Sequence, residues 1–111
     1  MLQPQQLFVS WDGTDWRQSP FKWEDSLEDS QTYMISQTNS FAYGILSPTD
    51  WYVTREVETG FSVPADITAW RQAIRDSAEE KAVLVEACET KDDLSTYTQS
   101  EEYLFWPDQP V

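Results

Sequence analysis

Histidine is absent from this chain of 111 residues, and cysteine occurs only once, at Cys88. Catalytic triads built on histidine, cysteine-histidine pairs and the usual zinc and haem sites therefore lack the residues they need. A single cysteine also excludes an intrachain disulfide. Because Cys88 falls on an apolar stripe, the pattern favours a buried small hydrophobe over a reactive thiol.

Glycine is scarce and long apolar runs are missing. The three glycines, Gly13, Gly44 and Gly60, are too far apart to form a loop that cradles the phosphates of ATP or NAD. No run of 18 apolar residues is present, and the first residues, MLQPQQ, carry no basic group. We therefore expect no cofactor, no membrane span and no secretion signal.

Basic residues are few, seven against 20 acidic ones, and the formal net charge is -13. Binding to a phosphate backbone requires clustered lysine and arginine, so nucleic acid is not an expected partner. From Asp76 onward ten acidic residues face two lysines, and 10 - 2 gives eight of the thirteen net negative charges. This anionic third is either a solvated face or a surface that attracts a basic partner.

Aromatic residues, in contrast, make up 14% of the chain and include six tryptophans. They can supply a core in a single domain, residues 1–111, without disulfides or metal. Residues 1–46 have a β-rich pattern. Asp12-Gly13 separates residues 7–11 from residues 14–18, which predicts a hairpin with Trp11 and Trp16 packed across it.

Residues 24–30 are polar and predict a loop. Residues 31–36 and 40–46 then alternate in a way that predicts two further strands. The first 46 residues should therefore form a small antiparallel sheet of three or four strands.

Residues 47–89 predict a helical hairpin. Ser47 can cap a helix that begins at Pro48 and ends at Gly60, the residue that most easily adopts the left-handed conformation of a C-cap. Pro64 begins a second helix, and Trp51 and Trp70 should pack against the sheet. Apolar residues recur on that helix at helical spacing: Ile67, Trp70, Ile74 and Ala78.

Residues 90–111 predict a short third helix capped by Thr90, a last turn capped by Ser100, and an aromatic tail. Strands followed by helices indicate an α+β fold. Four consecutive bulky residues cannot all face inward on a regular element. They form either a lid on the core, which we favour, or a partner-docking surface: Tyr103, Leu104, Phe105 and Trp106.

The helical hairpin contains a recognisable order of charged and aromatic residues, whose arginines we expect to be structural. The motif positions are Asp50, Trp51, Tyr52, Arg55, Glu58, Gly60, Pro64, Trp70, Arg71, Ile74 and Arg75. This order resembles the helical module of phage tail assembly chaperone proteins, found in tail-fibre assembly proteins and small tail proteins of tailed phages. The resemblance covers about a quarter of the chain and implies no catalytic residue.

We therefore expect a non-enzymatic protein of a phage tail that acts through contacts with fibre, baseplate or tube subunits. It would be a resident subunit of the virion tail, or a transient chaperone in the cytoplasm of the infected host during assembly. A homo-oligomer is a further option. Lower-ranked alternatives are an acidic DNA mimic that inhibits a host protein, and carboxylate catalysis.

Two binding chemistries also remain as lower-ranked alternatives. Asp12 and Asp15 flank a turn and could coordinate calcium, although the spacing of a calcium-binding loop is missing. Trp51, Tyr52 and Trp70 could stack on sugars, but aromatic residues at helical spacing more often belong to a core.

Overall fold

A two-stranded antiparallel sheet followed by helices gives the chain an α+β fold, as the sequence predicts. The computed structural model describes residues 1–110, so Val111, the last residue of the predicted tail, lies outside the described part. A 3-10 turn at Ser47–Thr49 connects α1 to α2. The elements are β1 (Phe8–Trp11), β2 (Trp16–Ser19), α1 (Leu27–Leu46), α2 (Asp50–Thr59), α3 (Ala65–Ala87), α4 (Lys91–Thr98) and α5 (Glu101–Leu104).

The hairpin of β1 and β2 confirms the first sequence prediction. Trp11 pairs with Trp16 across the strands, and their rings meet edge to face with centroids 5.5 Å apart. Gly13 has a φ of 100°, a conformation that glycine adopts without strain. Asp12 stabilises the turn, because its Oδ1 accepts hydrogen bonds from the backbone N-H of Thr14 and of Asp15, each at 2.7 Å.

Helix α1 overturns the prediction of two strands at residues 31–36 and 40–46. It begins after Ser26, whose side-chain oxygen accepts a hydrogen bond from the backbone N-H of Asp29 at 3.1 Å. Residues 24–30 are therefore partly a helix start, and the β-rich part ends with the hairpin. The buried face of the helix recurs every four residues: Ser30, Met34, Thr38 and Ala42.

The main helical pair consists of α1 and α3, which run antiparallel. Gln31 of α1 donates to the carbonyl of Val85 at the end of α3, whereas Ala42 packs with Trp70 near the start of α3. The predicted tight pairing of α2 with α3 is therefore wrong, because α3 uses its apolar face against α1. Trp70 is buried on that face and donates from Nε1 to the carbonyl of Pro107, away from the sheet.

Two apolar clusters lie along this helical pair. One includes the segment after the hairpin and lies near the first half of α1 and the end of α3. It contains Phe21, Trp23, Met34, Val85, Leu94 and Tyr103. The other lies toward α2 and contains Ala42, Trp70, Ile74, Ala78 and Trp106. Burial of these large side chains supplies most of the stabilisation that a chain of this length can gain.

The segment that follows α5 folds back on the core as a lid. The caps at Thr90 and Ser100 form as predicted, since their side-chain oxygens accept from the backbone N-H of Asp93 and of Tyr103. The backbone N-H of Trp106 donates to the carbonyl of Met1 at 2.8 Å. The N-terminal residues thus hold the lid from outside. Among residues 1–110 no helix is long and apolar enough to cross a membrane.

Candidate functional site

Helix α2 is the most exposed element, and its two ends are fixed by different means. The 3-10 turn leads directly into α2, so the helix begins at Asp50, and the predicted start at Pro48 with a cap at Ser47 is wrong. Ser47 has helical backbone angles and belongs to the end of α1. The predicted end is confirmed, because Gly60 has a φ of 78° and its N-H donates to the carbonyl of Glu56.

Arg71 of α3 fixes the start of α2 to the rest of the molecule. Its guanidinium donates to the carbonyl of Leu46 at 2.9 Å, to Oγ1 of Thr49 at 2.7 Å and to Oδ1 of Asp50 at 2.9 Å. These acceptors belong to the end of α1, the 3-10 turn and the first residue of α2. Such contacts agree with the structural role expected for Arg71, whereas Arg75, one turn further on, is exposed.

None of the ten residues of α2 is buried. Trp51 is 52% exposed and Val57 is 82% exposed, and Phe61, directly after the helix, is 65% exposed. The prediction that Trp51 packs against the sheet is therefore wrong. A helix of ten residues is only marginally stable when isolated in water, and tertiary packing of an apolar face usually stabilises it.

Arg55 organises the aromatic residues of this region. Its guanidinium carbon lies 5.3 Å from the ring centroid of Trp51, 5.6 Å from that of Tyr52 and 5.7 Å from that of Phe61. The rings of Trp51 and Tyr52 are themselves stacked, with centroids 3.7 Å apart. Arg55 takes part in none of the ion pairs of residues 1–110. Cation-π attraction to the surrounding rings holds it instead.

We call these residues the α2 surface: Trp51, Tyr52, Arg55 and Phe61. The Nε atom of Arg55 is covered by its surroundings and has no hydrogen-bond partner among the described residues. The three rings that lie within 5.7 Å of its guanidinium carbon belong to the same surface. Of the other motif residues, Glu58 and Pro64 are exposed, whereas Ile74 lies in the core.

The four aromatic-tail residues divide between core and surface. Tyr103 and Trp106 are each 2% exposed, Leu104 is half-buried, and Phe105 is 49% exposed. The hydroxyl of Tyr103 shares a hydrogen bond of 2.9 Å with Oγ1 of Thr38. The lid interpretation is therefore confirmed for Tyr103 and Trp106, and the docking interpretation is wrong for these two residues.

Sequence reasoning missed Lys81, which holds the lid in place. Its Nζ donates to the carbonyls of Glu102 at 2.9 Å and of Phe105 at 2.8 Å, and it lies 4.8 Å from the ring centroid of Trp106. Burial lowers the pKa of this lysine, against the opposing effect of Glu80 and Glu102. Lys81 follows Ala78 by about one helical turn on the apolar face of α3. This position did not indicate that Lys81 is buried, since lysines at such places usually extend their ammonium groups to solvent.

Other titratable groups with shifted pKa values favour a structural over a chemical role. Burial raises the pKa of Cys88, which makes its thiol less nucleophilic, and raises the pKa of Tyr97 to about 12. Backbone N-H groups of Asp15 and Thr14 lower the pKa of Asp12. Within residues 1–110 no group of three or more cysteine or carboxylate side chains could hold a metal ion, and this includes the turn at Asp12 and Asp15.

Comparison with known protein families, with curated proteins and with solved structures found no match to this chain. The α2 surface and the motif in the sequence therefore remain the features of this chain that bear on its function.

Proposed function

We propose that this chain is a non-enzymatic protein of a phage tail and that it works through protein-protein contacts made by the α2 surface. The resemblance of the motif to the tail assembly chaperone module supports the phage-tail context. The exposure of α2 supports the mode of action. The partner is another tail protein, namely a fibre, baseplate or tube subunit.

One observation carries this proposal: α2 buries none of its ten residues, yet it presents Trp51 and Tyr52 together with Arg55. Tryptophan, tyrosine and arginine are the residues most enriched among those that dominate binding energy at protein interfaces. A partner that covered these rings would also stabilise a helix that is marginal by itself. Arg71 holds the start of α2 in place, which reduces the entropy lost on binding.

Between the two roles in a tail, we propose the resident subunit. Two buried apolar clusters and a lid held by Lys81 stabilise the domain. A stable domain of this kind can remain docked in a tail. Mass spectrometry of purified virions tests this role. Stoichiometric amounts in the virion would support it, whereas presence in infected cells and absence from virions would indicate the transient chaperone.

Substitution of the α2 surface tests the mode of action. We expect the double variant Trp51→Ala, Phe61→Ala to fold and to lose at least about 2 kcal/mol of binding energy toward tail particles, as is typical of dominant interface residues. Cosedimentation of the purified variant with particles that lack the native chain measures this loss.

A residue on the opposite side of α2 supplies the control. Val57 is exposed on the same helix, but it follows Arg55 by two residues, which places it about 200° around the helix axis. Val57→Ser should leave cosedimentation unchanged, whereas the double variant should lose it. Equal weakening by both variants, or full binding by the double variant, would show that the α2 surface is not the contact surface.

A further inference from the structure

A second surface lies along the middle and late part of α3, on a different part of that helix from the Arg71 contact with α2. It is a groove of about 530 Å³ between α3, the region of α4 and α5, and the N-terminal residues. Three exposed apolar residues line it: Leu2 at 55%, Leu84 at 39% and Phe105 at 49%. Apolar side chains from three separate segments thus meet at one concave site.

Carboxylates surround this apolar floor. Glu80 of α3 and Glu101 and Glu102 of α5 line the same groove, and all three are exposed. Lys81, the one cation among the described residues that line it, is 5% exposed and directs its ammonium to backbone carbonyls of the lid. The accessible charge of the groove is therefore negative.

The walls of the groove are held together before any partner arrives. Lys81 connects α3 to the end of α5, and the backbone N-H of Gln3 donates to the carbonyl of Leu104 at 2.9 Å. Leu2 and Phe105 form a bridge between the two terminal segments. A preformed site loses less entropy when it binds.

We propose that this groove docks a basic amphipathic segment of a partner protein, with an apolar side chain on Leu84 and Phe105 and lysine or arginine beside Glu80, Glu101 and Glu102. Charge complementarity selects this occupant. A second copy of the chain, at a net charge of -13, would be repelled, and so would an acidic membrane surface. The groove is separate from the α2 surface, so either proposal can fail alone.

A synthetic peptide with leucines at helical spacing between lysines is the probe, and its analogue with glutamates in place of the lysines is the negative control. Fluorescence anisotropy of the labelled peptide at physiological ionic strength measures the Kd. We expect the lysine peptide to bind and the glutamate peptide not to bind. Binding of both peptides, or of neither, would overturn the proposal.

Charge reversal at matched positions separates the groove from the overall charge. The variant Glu101→Lys, Glu102→Lys and the control Glu28→Lys, Asp29→Lys each alter net charge by +4, and each changes the first turn of a helix capped by serine. The control residues do not line the groove. We expect the first variant to weaken the Kd about tenfold and the control to change it less than about twofold.

The apolar part of the groove has its own test. Leu84→Ser should weaken the Kd about fivefold, since it removes apolar area that the peptide would cover. Circular dichroism melts report whether each variant folds. If the variant Glu101→Lys, Glu102→Lys is unfolded, the variant Glu101→Gln, Glu102→Gln replaces it. An unchanged Kd for Leu84→Ser, or equal weakening by the groove and control variants, would show attraction to the general charge of the chain and refute docking in the groove.

Discussion

Arg71 shows how a single buried charge can connect three backbone segments. Its side chain is 8% exposed, whereas that of its ionic partner Asp50 is 51% exposed. An ion pair with one exposed partner contributes little by itself, so most of the effect should come from the bonds to the carbonyl of Leu46 and to the hydroxyl of Thr49.

We expect Arg71→Ala to lower the free energy of unfolding by about 2 to 3 kcal/mol, because the buried hydroxyl of Thr49 and the part-buried carbonyl of Leu46 lose the guanidinium donor and a cavity remains. Urea denaturation followed by tryptophan fluorescence measures the change. Arg75→Ala is the control, since Arg75 is exposed and its loss should change stability by less than about 0.5 kcal/mol. A similar loss in both variants would contradict the role assigned to Arg71.

Tyr97 makes stability depend on alkaline pH. Burial, followed in importance by the nearby Tyr103, raises its pKa to about 12 from an ordinary value of 10.0. A pKa raised in the folded state gives stability that is complete below pH 10 and is lost as the pH rises toward 12. Between these values the unfolded chain releases the phenolic proton and the folded chain retains it.

The variant Tyr97→Phe should therefore lose less stability between pH 10 and pH 12 than the unmodified chain does. Denaturant midpoints at several pH values in this window measure the difference between the two proteins. The other titratable groups are present in both proteins, so their contributions largely cancel. Parallel pH profiles for the two proteins would contradict the raised pKa of Tyr97.

At the scale of elements, three predicted caps mark real boundaries, whereas the cap predicted at Ser47 does not. Thr90, Ser100 and Gly60 all act where the sequence indicates, because each effect depends on a few adjacent residues. Helix α1 was not predicted, because its buried face includes Ser30 and Thr38, which hid the apolar period of the helix.

Thr38 can be buried because its hydroxyl has hydrogen-bond partners, one of which lies in a distant part of the chain. Thr38 donates to the carbonyl of Met34, and its Oγ1 also meets the hydroxyl of Tyr103, 65 residues away. No local pattern contains that contact. A signal was nevertheless present at Ser26, which precedes Glu28 and Asp29 as a helix cap should.

Part of the α2 surface belongs to the predicted motif, whereas Phe61 does not, and the exposure of Trp51 was not predicted. The motif names Trp51, Tyr52 and Arg55, but aromatic residues near a helix start are usually core, and the sequence does not show that α3 is already occupied by α1. Long-range pairing of helices decided the exposure of Trp51. That pairing is tertiary information, which local patterns do not contain.

Two glycines in different conformations give opposite predictions. Gly44 is helical, and a methyl group added at its Cα would meet open space, so Gly44→Ala should raise the free energy of unfolding by about 0.5 to 1 kcal/mol. Gly60 has a φ of 78°, so Gly60→Val should destabilise α2 by about 1 kcal/mol or more. Urea denaturation measures the first effect.

Because α2 is not buried, the second effect should be local, and hydrogen exchange at the amides of α2 measures it. Faster exchange confined to α2 in Gly60→Val is the expected result. Unchanged exchange would contradict the left-handed cap at Gly60.

The whole molecule is elongated, with principal extents of 59 × 23 × 21 Å. Its Cα radius of gyration is 16.9 Å, whereas a compact domain of this length has one of about 13 Å. Exposed aromatic residues lie toward both ends of the helical pair. Trp11 and Trp16 belong to the hairpin, which contacts α4 through an ion pair of Arg17. Trp51 and Phe61 belong to α2 and to the segment after it, which follow the other end of α1.

Small-angle X-ray scattering of the monomer should therefore give a radius of gyration close to 16.9 Å. The expected value depends on α2 lying away from α3, so Arg71→Ala should broaden the distribution of distances. A radius close to that of a compact domain would show that α2 folds back on α3. Measurements at several protein concentrations would separate the monomer from a homo-oligomer.

The connection of α2 to the molecule has a mechanical consequence. Ten helical residues span about 15 Å, so a load applied at Phe61 acts through a lever arm of that length on the contacts of Arg71. Helix α2 would rotate about the junction between α1 and the 3-10 turn. Arg71 also binds this junction, through the carbonyl of Leu46 and the hydroxyl of Thr49. Tension on a docked partner would therefore be transmitted to the end of α1, and through it to the length of the helical pair.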